Sequence, residues 1–520
     1  MKRLLLLAAT LSALWSGACS GGGSQPPPPP PKGPFSNASL SGQYAFSMAG
    51  SEIASSGLVV SNPFTRIGTF TADSKGAITA GVEDIHLVTR INRIQFTGGS
   101  YTVNADGRGT LSLINSTGTL QFSITLASSS NGFMVAMPTD GLSTASGNFI
   151  KQDTTAFSLG GIANNYAFDL SGSDPNGNPE SFIGQFHSDG AGSIPTGLSD
   201  DNDGGVLTAP TTPTPIAGAT YAADALNAGD LGNFGRGVFS INGVVGVFYI
   251  VDHTRVFLME TTSGGTLNGS AVLQSSVPTS VASVSGGFVF VMGGASAGGP
   301  STRGGSLSTS GGAVSNVFLD TNNAGQVDNR TASAGTYTID SNPTGRGTIT
   351  IVGSSFTPSQ QNSFIAVFYL ISPTQGFLQD QSKGFVQDGT FLSAPSSAPT
   401  DSSVAGNYAF SWSGVSTTNA ITDEEDFVGQ LALSGGNFTG AVDFNEFASG
   451  KQFFDVVTSG SLKLSAGHSV FTANLASGTA PTLPFFAYPG LNNTILVMGT
   501  QKGNTRVIAG VLSFQNPQGP

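Results

Sequence analysis

A unit of about 120 residues recurs four times along the chain, and each copy opens on a strand in which aromatic residues alternate. The copies begin at Tyr44, Tyr166, Phe288 and Tyr408, which lie 122, 122 and 120 residues apart. Solenoid repeats of roughly 20–45 residues must stack to bury an apolar face, whereas a unit of this length can close a core alone. The sequence therefore predicts four domains arranged as beads on short linkers.

The local patterns within each copy indicate strands and tight turns. Alternate residues of the first opening strand, Tyr44, Phe46 and Met48, share one face, which we expect to be core. The chain has 72 glycines and only 10% charged residues, a composition that disfavours helix. We therefore expect an all-β protein of four tandem antiparallel domains, each of seven to nine strands, folded as a β-barrel or as a β-sandwich of the immunoglobulin type.

Two resemblances add to this interpretation. The Gly-x-Tyr-x-Val and Gly-x-Gly-Thr patterns at 99–103 and 107–110 resemble those of small calycin-type or allene-oxide-cyclase-like barrels. Cys19 follows the small residues at 16–18, Gly-x-Tyr-Ala-Phe opens the copies at 42–46 and 406–410, and Gly-Arg-Gly turns recur at 107–109, 235–237 and 345–347. Through these features the whole chain resembles uncharacterised bacterial envelope lipoproteins that carry tandem copies of an all-β unit. The first resemblance implies barrels, and the second implies a lipoprotein without a known activity.

The first residues have the features of an export signal. Met1-Lys2-Arg3 is a short basic region, Leu4 to Trp15 is apolar but too short to span a bilayer, and Ser16-Gly17-Ala18 is a small-residue cleavage site. Cys19, the only cysteine, follows directly, and the segment resembles a bacterial lipoprotein signal in which that cysteine is lipidated. Ser20 after it implies sorting to the outer membrane. Ordinary cleavage after the small residues, giving a secreted protein, stays open.

The composition along the chain divides it into segments. Glycines and six consecutive prolines follow the cysteine and predict a hinge and a semi-rigid stalk. Candidate linkers are 153–159, 275–281 and 393–403. We expect a signal peptide at 1–18, the lipidated cysteine and stalk at 19–38, and β repeats at 39–152, 160–274, 282–393 and 403–516.

The charge balance limits the partners. A net charge of −12, with only 19 Lys and Arg, repels nucleic acid and anionic lipid, so the lipid chain is the expected membrane contact. No cofactor is indicated. We expect an unknown surface protein or glycan as the partner.

One acidic position recurs after the second strand of each copy, at Asp84, Asp200, Asp320 and Asp443. The favoured interpretation is an Asx-turn that closes a hairpin, and the alternative is a Ca²⁺ site. The weak metal candidates are Asp200, Asn202 and Asp203. Arginines between glycines also recur, and we expect them to pair with these acids at a barrel rim; they are Arg108, Arg236 and Arg346.

The sequence gives no positive support for catalysis. The stretch from Gly294 to Gly298 matches a nucleophile-elbow pattern but lacks the required strand-to-helix context. The histidines share no metal-ligand spacing, and Glu424-Glu425 lie in an acidic run that is typical of a solvated loop. We expect no enzyme but a spacer or adhesion-type interaction array. The alternatives are small barrels that bind an apolar ligand inside and, third, an envelope hydrolase.

Overall fold

The computed structural model describes residues 34–53, 61–87, 90–138, 143–205, 207, 212–352, 363–418, 421–446, 451–478, 482–502 and 506–517. Most of the described chain is strand, organised as four consecutive antiparallel barrels. The barrel prediction is therefore confirmed, and the sandwich alternative is wrong. The signal segment, Cys19 and the proline stalk lie outside the described residues.

Barrel 1 is a meander of eight strands in which β1 closes onto β8. Its strands are β1 (Ser41–Ile53), β2 (Ser61–Asp73), β3 (Ala77–Leu87), β4 (Arg90–Val103), β5 (Arg108–Asn115), β6 (Gly118–Leu126), β7 (Asn131–Ala136) and β8 (Ser143–Lys151).

Barrel 2 follows the same path but has interrupted strands. Its strands are β9 (Asn164–Ser173), β10 (Pro179–Ser188), β11 (Ser193–Ile194), β12 (Thr196–Asp203), β13 (Thr214–Pro215), β14 (Ala219–Ala222), β15 (Arg236–Ile241), β16 (Val244–Asp252), β17 (Arg255–Glu260) and β18 (Asn268–Leu273). Only Pro195, which has no N–H to donate, separates β11 from β12. Because β11 pairs with β14 while β12 pairs with β10, the interrupted strand closes the barrel.

Barrels 3 and 4 are again eight-stranded and closed. Barrel 3 comprises β19 (Gly286–Ser296), β20 (Gly299–Ser310), β21 (Ala313–Asn323), β22 (Gln326–Ile339), β23 (Arg346–Val352), β24 (Ser363–Ser372), β25 (Gln375–Asp380) and β26 (Phe385–Ser393). Barrel 4 comprises β27 (Gly406–Thr418), β28 (Ile421–Ser434), β29 (Asn437–Glu446), β30 (Lys451–Lys463), β31 (Ser469–Leu475), β32 (Thr482–Pro489), β33 (Thr494–Gly499) and β34 (Val507–Phe514).

Helix is confined to connections. The six-residue α1 (Gly229–Phe234) lies between β14 and β15. Short 3₁₀ turns occupy Asn37–Ser39, Thr154–Ala156, Leu159–Ile162, Val281–Ser283 and Leu491–Asn493.

The repeated sequence motifs are explained by how each opening strand packs. Phe46 on β1 pairs with Gly68 on β2, and Phe410 on β27 pairs with Gly429 on β28. A Cβ atom on Gly429 would lie 2.6 Å from Cζ of Phe410 and 2.4 Å from a backbone oxygen, so the ring occupies the space that a side chain would need. The same glycine–phenylalanine pairing recurs in barrels 2 and 3. The aromatic face of each opening strand is buried, as predicted.

The four barrels are packed against one another, so the expectation of separate beads is wrong. The first two strands of each barrel contact the last three strands of the next: β1 and β2 contact β16–β18, β9 and β10 contact β24–β26, and β19 and β20 contact β32–β34. Barrel 4 repeats the contact, because β27 and β28 lie against β6–β8 of barrel 1. Head-to-tail contacts that return to the first member form a closed ring.

Candidate functional site: the seams between barrels

The contact between two neighbouring barrels, here called a seam, is apolar at its centre. Seam 1/2 and seam 2/3 each bury a cluster contributed by both partners, and barrel 4 shares one such cluster with barrels 1 and 3. The seam 2/3 cluster is Ala167, Ile183 and Val272 of barrel 2 with Val367, Tyr369, Ile371 and Phe377 of barrel 3.

The recurrent aspartate binds the next barrel at seam 1/2. Asp84 lies within β3 and accepts two bonds from the guanidinium of Arg236, at 2.6 and 2.8 Å. The hydroxyl of Tyr249 donates to the same carboxylate at 2.7 Å. Burial and then the charge of Asp84 raise the pKa of Tyr249 well above its ordinary value, so this hydroxyl stays a donor.

Seam 2/3 repeats this arrangement. Asp200 of β12 accepts from Arg346 at 2.7 and 2.9 Å and from the hydroxyl of Tyr369 at 2.8 Å. The predicted Arg–Asp pairs are therefore present, but each pair joins two barrels instead of lying at the rim of one. Bidentate geometry fixes orientation as well as charge, so these pairs set the register of neighbouring barrels.

Seams 3/4 and 4/1 vary the arrangement. At seam 3/4, Tyr488 donates to Asp320 at 2.7 Å, and His468 stands 2.9 Å from that carboxylate in the place of the arginine. At seam 4/1, Arg108 binds Asp455 at 2.6 Å and lies 3.9 Å from Asp443.

A second polar bond accompanies each aspartate two residues later in the strand. The amide of Asn202 donates to two carbonyls of barrel 3, those of Asp380 and Phe385, at 2.7 and 2.8 Å. Equivalent bonds to the next barrel come from Asn322, Asn445 and, through its ring nitrogen, His86. In copies two, three and four, the recurrent aspartate and the asparagine two residues later therefore both bind the next barrel.

The last strand of a barrel adds a third bond. Gln152 donates to the carbonyls of Phe234 and Ile250, and Gln274 donates to those of Thr344 and Leu370. Gln515 of barrel 4 makes the same pair of bonds to Asp106 and Leu126 of barrel 1, at 2.9 and 2.8 Å. Seam 4/1 thus shares this glutamine bond with seams 1/2 and 2/3 although no linker joins its two barrels.

The Asx-turn interpretation of the recurrent aspartates is wrong. All four residues lie inside strands, at Asp84 of β3, Asp200 of β12, Asp320 of β21 and Asp443 of β29. True Asx-turns occur earlier in the repeat, where the carboxylate of Asp73, for instance, accepts the backbone N–H groups of residues 75 and 77.

The three weak metal candidates do not converge. Asp200 and Asn202 bind barrel 3. Asp203 is an odd number of residues from both, so its side chain lies on the other face of β12, where it is exposed. Among the described residues, no group of three or more His, Cys, Asp or Glu side chains is arranged to hold a metal ion.

The remaining candidate residues are also scattered or structural. Ser296 lies in the hairpin between β19 and β20, so the elbow-like motif runs from strand to strand. The acidic run that includes Glu424 and Glu425 is buried in β28 instead of forming a solvated loop, and Glu425 pairs with Arg506. His187 and His253 bond to Asn165 and a backbone carbonyl within barrel 2.

The barrel interiors are filled by aromatic side chains. In barrel 4 the ring of Trp412 lies 4.1 Å from that of Phe410 and 4.8 Å from that of Phe485, measured between centroids. In barrel 2 an apolar void of about 20 Å³ lies beside Tyr166 and Phe248. A single water needs roughly 10–15 Å³ on this measure, so the void admits about one small molecule of that size.

Barrel 2 also carries an excess of negative charge. Burial, followed by the charges of Asp201, Glu260, Asp203 and Asp174, raises the pKa of Glu180 to about 8. None of these carboxylates is the partner of Arg236, which binds Asp224 within the barrel. Glu180 therefore binds a proton at neutral pH.

Comparison with known proteins identifies no family for this chain. No family model matches, and no curated protein matches. Solved structures with similarity include a mutant of transferrin binding protein B from Haemophilus parasuis Hp5 (10% identity, 93% of this chain, 76% of that one, TM-score 0.14) and intact Ap-TbpB with its N and C lobes (10%, 98%, 83%, 0.15). Isotype 1 of the same protein from Neisseria meningitidis matches at 10% identity over 91% of this chain and 77% of that one, with a TM-score of 0.12. Similarity this low carries no argument about function. No helix within the described ranges is long and apolar enough to cross a membrane.

Proposed function

We propose that this chain is a non-enzymatic, exported lipoprotein that holds a rigid four-barrel ring at the cell envelope as an interaction platform. The observation that carries the proposal is the closed ring itself. Four seams with recurrent polar bonds hold the barrels in fixed register. This rigidity favours a role in which the four barrels present one composite surface, and it argues against a role as a flexible spacer. The filled interiors favour a platform over the alternative of barrels that enclose an apolar ligand.

The ends of the described chain support one orientation for this platform. The backbone N–H of Phe35 bonds to Ala105, in the turn between β4 and β5, and that of Asn516 bonds to Ala127, in the turn between β6 and β7. All connections between barrels also leave from this end, because each barrel has an even number of strand passes. The tether proposed at Cys19 thus places this end toward the membrane.

The opposite end then faces outward. It carries the hairpins that follow the odd-numbered strands of barrel 1 and their equivalents in the other copies, with connections of two to ten residues. Binding residues concentrate on loops that a rigid scaffold positions. We place the contact with a surface protein or glycan there.

Two measurements test this proposal. Cys19→Ser should move the protein from the membrane fraction to the soluble fraction and abolish labelling with fatty acid, whereas an unlabelled, soluble wild type would indicate free secretion. A membrane-impermeant amine reagent on intact cells tests the orientation. Lys383 and Lys451 lie at the hairpin end and Lys75 and Lys463 at the linker end, and all four are exposed. The hairpin-end lysines should react faster; faster labelling of Lys75 would contradict the orientation.

A further inference from the structure

One position on each seam is occupied by very different residues. This position is the third residue after the opening aromatic of each copy, and it faces the last strand of the next barrel. In barrels 1 to 4 it is occupied by Ser47, Asp169, Val291 and Ser411, in that order. At seam 1/2 the hydroxyl of Ser47 lies 3.4 Å from the amide oxygen of Asn268. At seam 2/3 the corresponding pair consists of two carboxyl groups, those of Asp169 and Asp388.

The Asp169–Asp388 pair is enclosed between barrels 2 and 3. The two residues are only 3% and 2% exposed, and each has a buried carboxyl oxygen that accepts no hydrogen bond. Burial raises the pKa of Asp169 to about 7, and burial together with the charge of Asp169 raises that of Asp388 well above its usual range. Two adjacent carboxylates in a dry site cannot both ionise, so the pair holds a proton.

A second carboxyl pair lies at the seam across the ring. At seam 4/1, Asp426 of barrel 4 accepts bonds from Thr144 and Ser146 of barrel 1 at 2.7 and 2.6 Å, and it is fully buried. The buried side chain of Glu424 lies on the same face of β28, two residues away. Burial is the main cause that raises the pKa of Asp426 to about 6.

Other charged groups on these two seams are already paired. Seam 2/3 also contains Asp200, whose partners are Arg346 and Tyr369. Seam 4/1 also contains the pair of Glu425 with Arg506 and the contacts of Arg108 with three carboxylates, which are Asp106, Asp443 and Asp455. Glu425 disfavours ionisation of Asp426.

We propose that the ring is a pH-sensitive clasp, held shut by a proton in each of these two carboxyl pairs and opening along the line of seams 2/3 and 4/1 when the pH rises. Barrels 1 and 2 form one half, and barrels 3 and 4 form the other. Only the linker at 274–285 joins the halves, and it serves as the hinge. Seam 1/2 holds no such pair at the equivalent position and stays closed.

The direction follows from proton linkage. A carboxyl group whose pKa is higher in the closed ring than in the open ring binds its proton more tightly when closed. The closed ring is therefore most stable when the pH is below the ordinary pKa of a carboxyl group. Its stability falls as the pH rises from that value to the raised pKa of the buried pair. Each pH unit in that window shifts the equilibrium about tenfold toward the open ring for every extra proton held.

Hydrogen exchange of three backbone amides tests the clasp on the full mature chain. The N–H groups of Asp153, Ser275 and Asn516 bond across seams 1/2, 2/3 and 4/1 respectively, to Val251, Ile371 and Ala127. After correction for the intrinsic pH dependence, peptides containing Ser275 and Asn516 should lose protection together between pH 5 and 7, by about tenfold per pH unit for each carboxyl pair that titrates. The peptide containing Asp153 should not, and equal loss at all three would refute the clasp.

Amide variants separate the proton from other causes. In Asp388→Asn combined with Asp426→Asn, an N–H₂ group donates to the remaining carboxylate without a bound proton, so the extra loss of protection should disappear. The exposed Asp401→Asn is the matched control and should behave as wild type. Each single variant should remove one titrating pair and so reduce the pH-dependent loss of protection at both seams, which keeps the test valid if the double variant folds poorly. Calcium that restores protection at pH 8, or EDTA that removes it at pH 5, would show a bound cation in place of the proton and overturn the proposal.

Discussion

Removal of the guanidinium at seam 2/3 should be among the most costly single changes in the chain. In Arg346→Ala, the carboxylate of Asp200 loses its two bonds of 2.7 and 2.9 Å and keeps the hydroxyl of Tyr369. The side chain of Asp200 is 0% exposed, so water does not replace the lost donors. An uncompensated buried charge of this kind typically costs about 3–5 kcal/mol.

The fourfold repeat supplies a matched control for this variant. Arg108 is the equivalent arginine in barrel 1, but its closest partner across the seam, Asp455, is 76% exposed. Arg108→Ala should therefore cost about 1 kcal/mol or less. The free energy of unfolding of both variants, measured with urea at pH 7, gives the comparison.

A double variant checks the physical cause. Arg346→Met combined with Asp200→Asn removes both charges of this ion pair and should recover much of the loss in Arg346→Ala. If Arg346→Ala and Arg108→Ala cost the same, at or below about 1 kcal/mol, seam 2/3 is hydrated in solution and the reasoning is refuted.

Four further outcomes are expected. Gly429→Ala should destabilise barrel 4 by about 1–3 kcal/mol, because the new Cβ meets Phe410 and the backbone, whereas Gly232→Ala, which meets nothing within 4 Å, should be close to neutral; thermal unfolding followed by Trp412 fluorescence distinguishes them. Millimolar calcium or EDTA should leave the melting temperature unchanged, and Asp200→Ala should lower it equally in either; a calcium-dependent rise that this variant removes would restore the metal interpretation. Glu180→Gln should stabilise the protein most near pH 8, since the raised pKa of Glu180 makes folded-state stability fall as the pH rises from about 4 to about 8; an unchanged pH profile of the urea midpoint would contradict this. The fragment 399–520 should show the circular dichroism of strands but self-associate on a sizing column, because it exposes both of its seams; a monomer as stable as the whole chain would count against the seams.

Strand pairing within one copy could be predicted from the sequence because it depends on local signals. Alternation around Tyr44 and Tyr408 placed the core faces, and Asp-Gly turns placed the hairpins. The sequence carries little signal for barrel closure. A barrel and a sandwich show the same alternation of apolar and polar residues, and they differ in whether the first strand pairs with the last. Only the pairing of β1 with β8 and its equivalents decides between them.

The seams were missed for a physical reason. Asp84 and Arg236 lie 152 residues apart, and each also fits a local role, as a turn residue or as a rim cation. The signal in the sequence is that the aspartate and the arginine each occupy the same position in successive copies. Such a recurrent pair is typical of residues that join one copy to the next. The burial of Glu425 and Asp426 had no such signal, since an acidic run ordinarily indicates solvent.

The return of barrel 4 to barrel 1 fixes how many copies such a chain can contain. Equivalent strands meet at each seam, and the fourth seam brings Gln515 onto the carbonyls of Asp106 and Leu126. A fifth copy outside the ring would have both of its apolar flanks uncovered, and the loss of one copy would also leave two flanks uncovered. Tandem duplication, which ordinarily lengthens or shortens an array one unit at a time, is therefore penalised here at every step away from four.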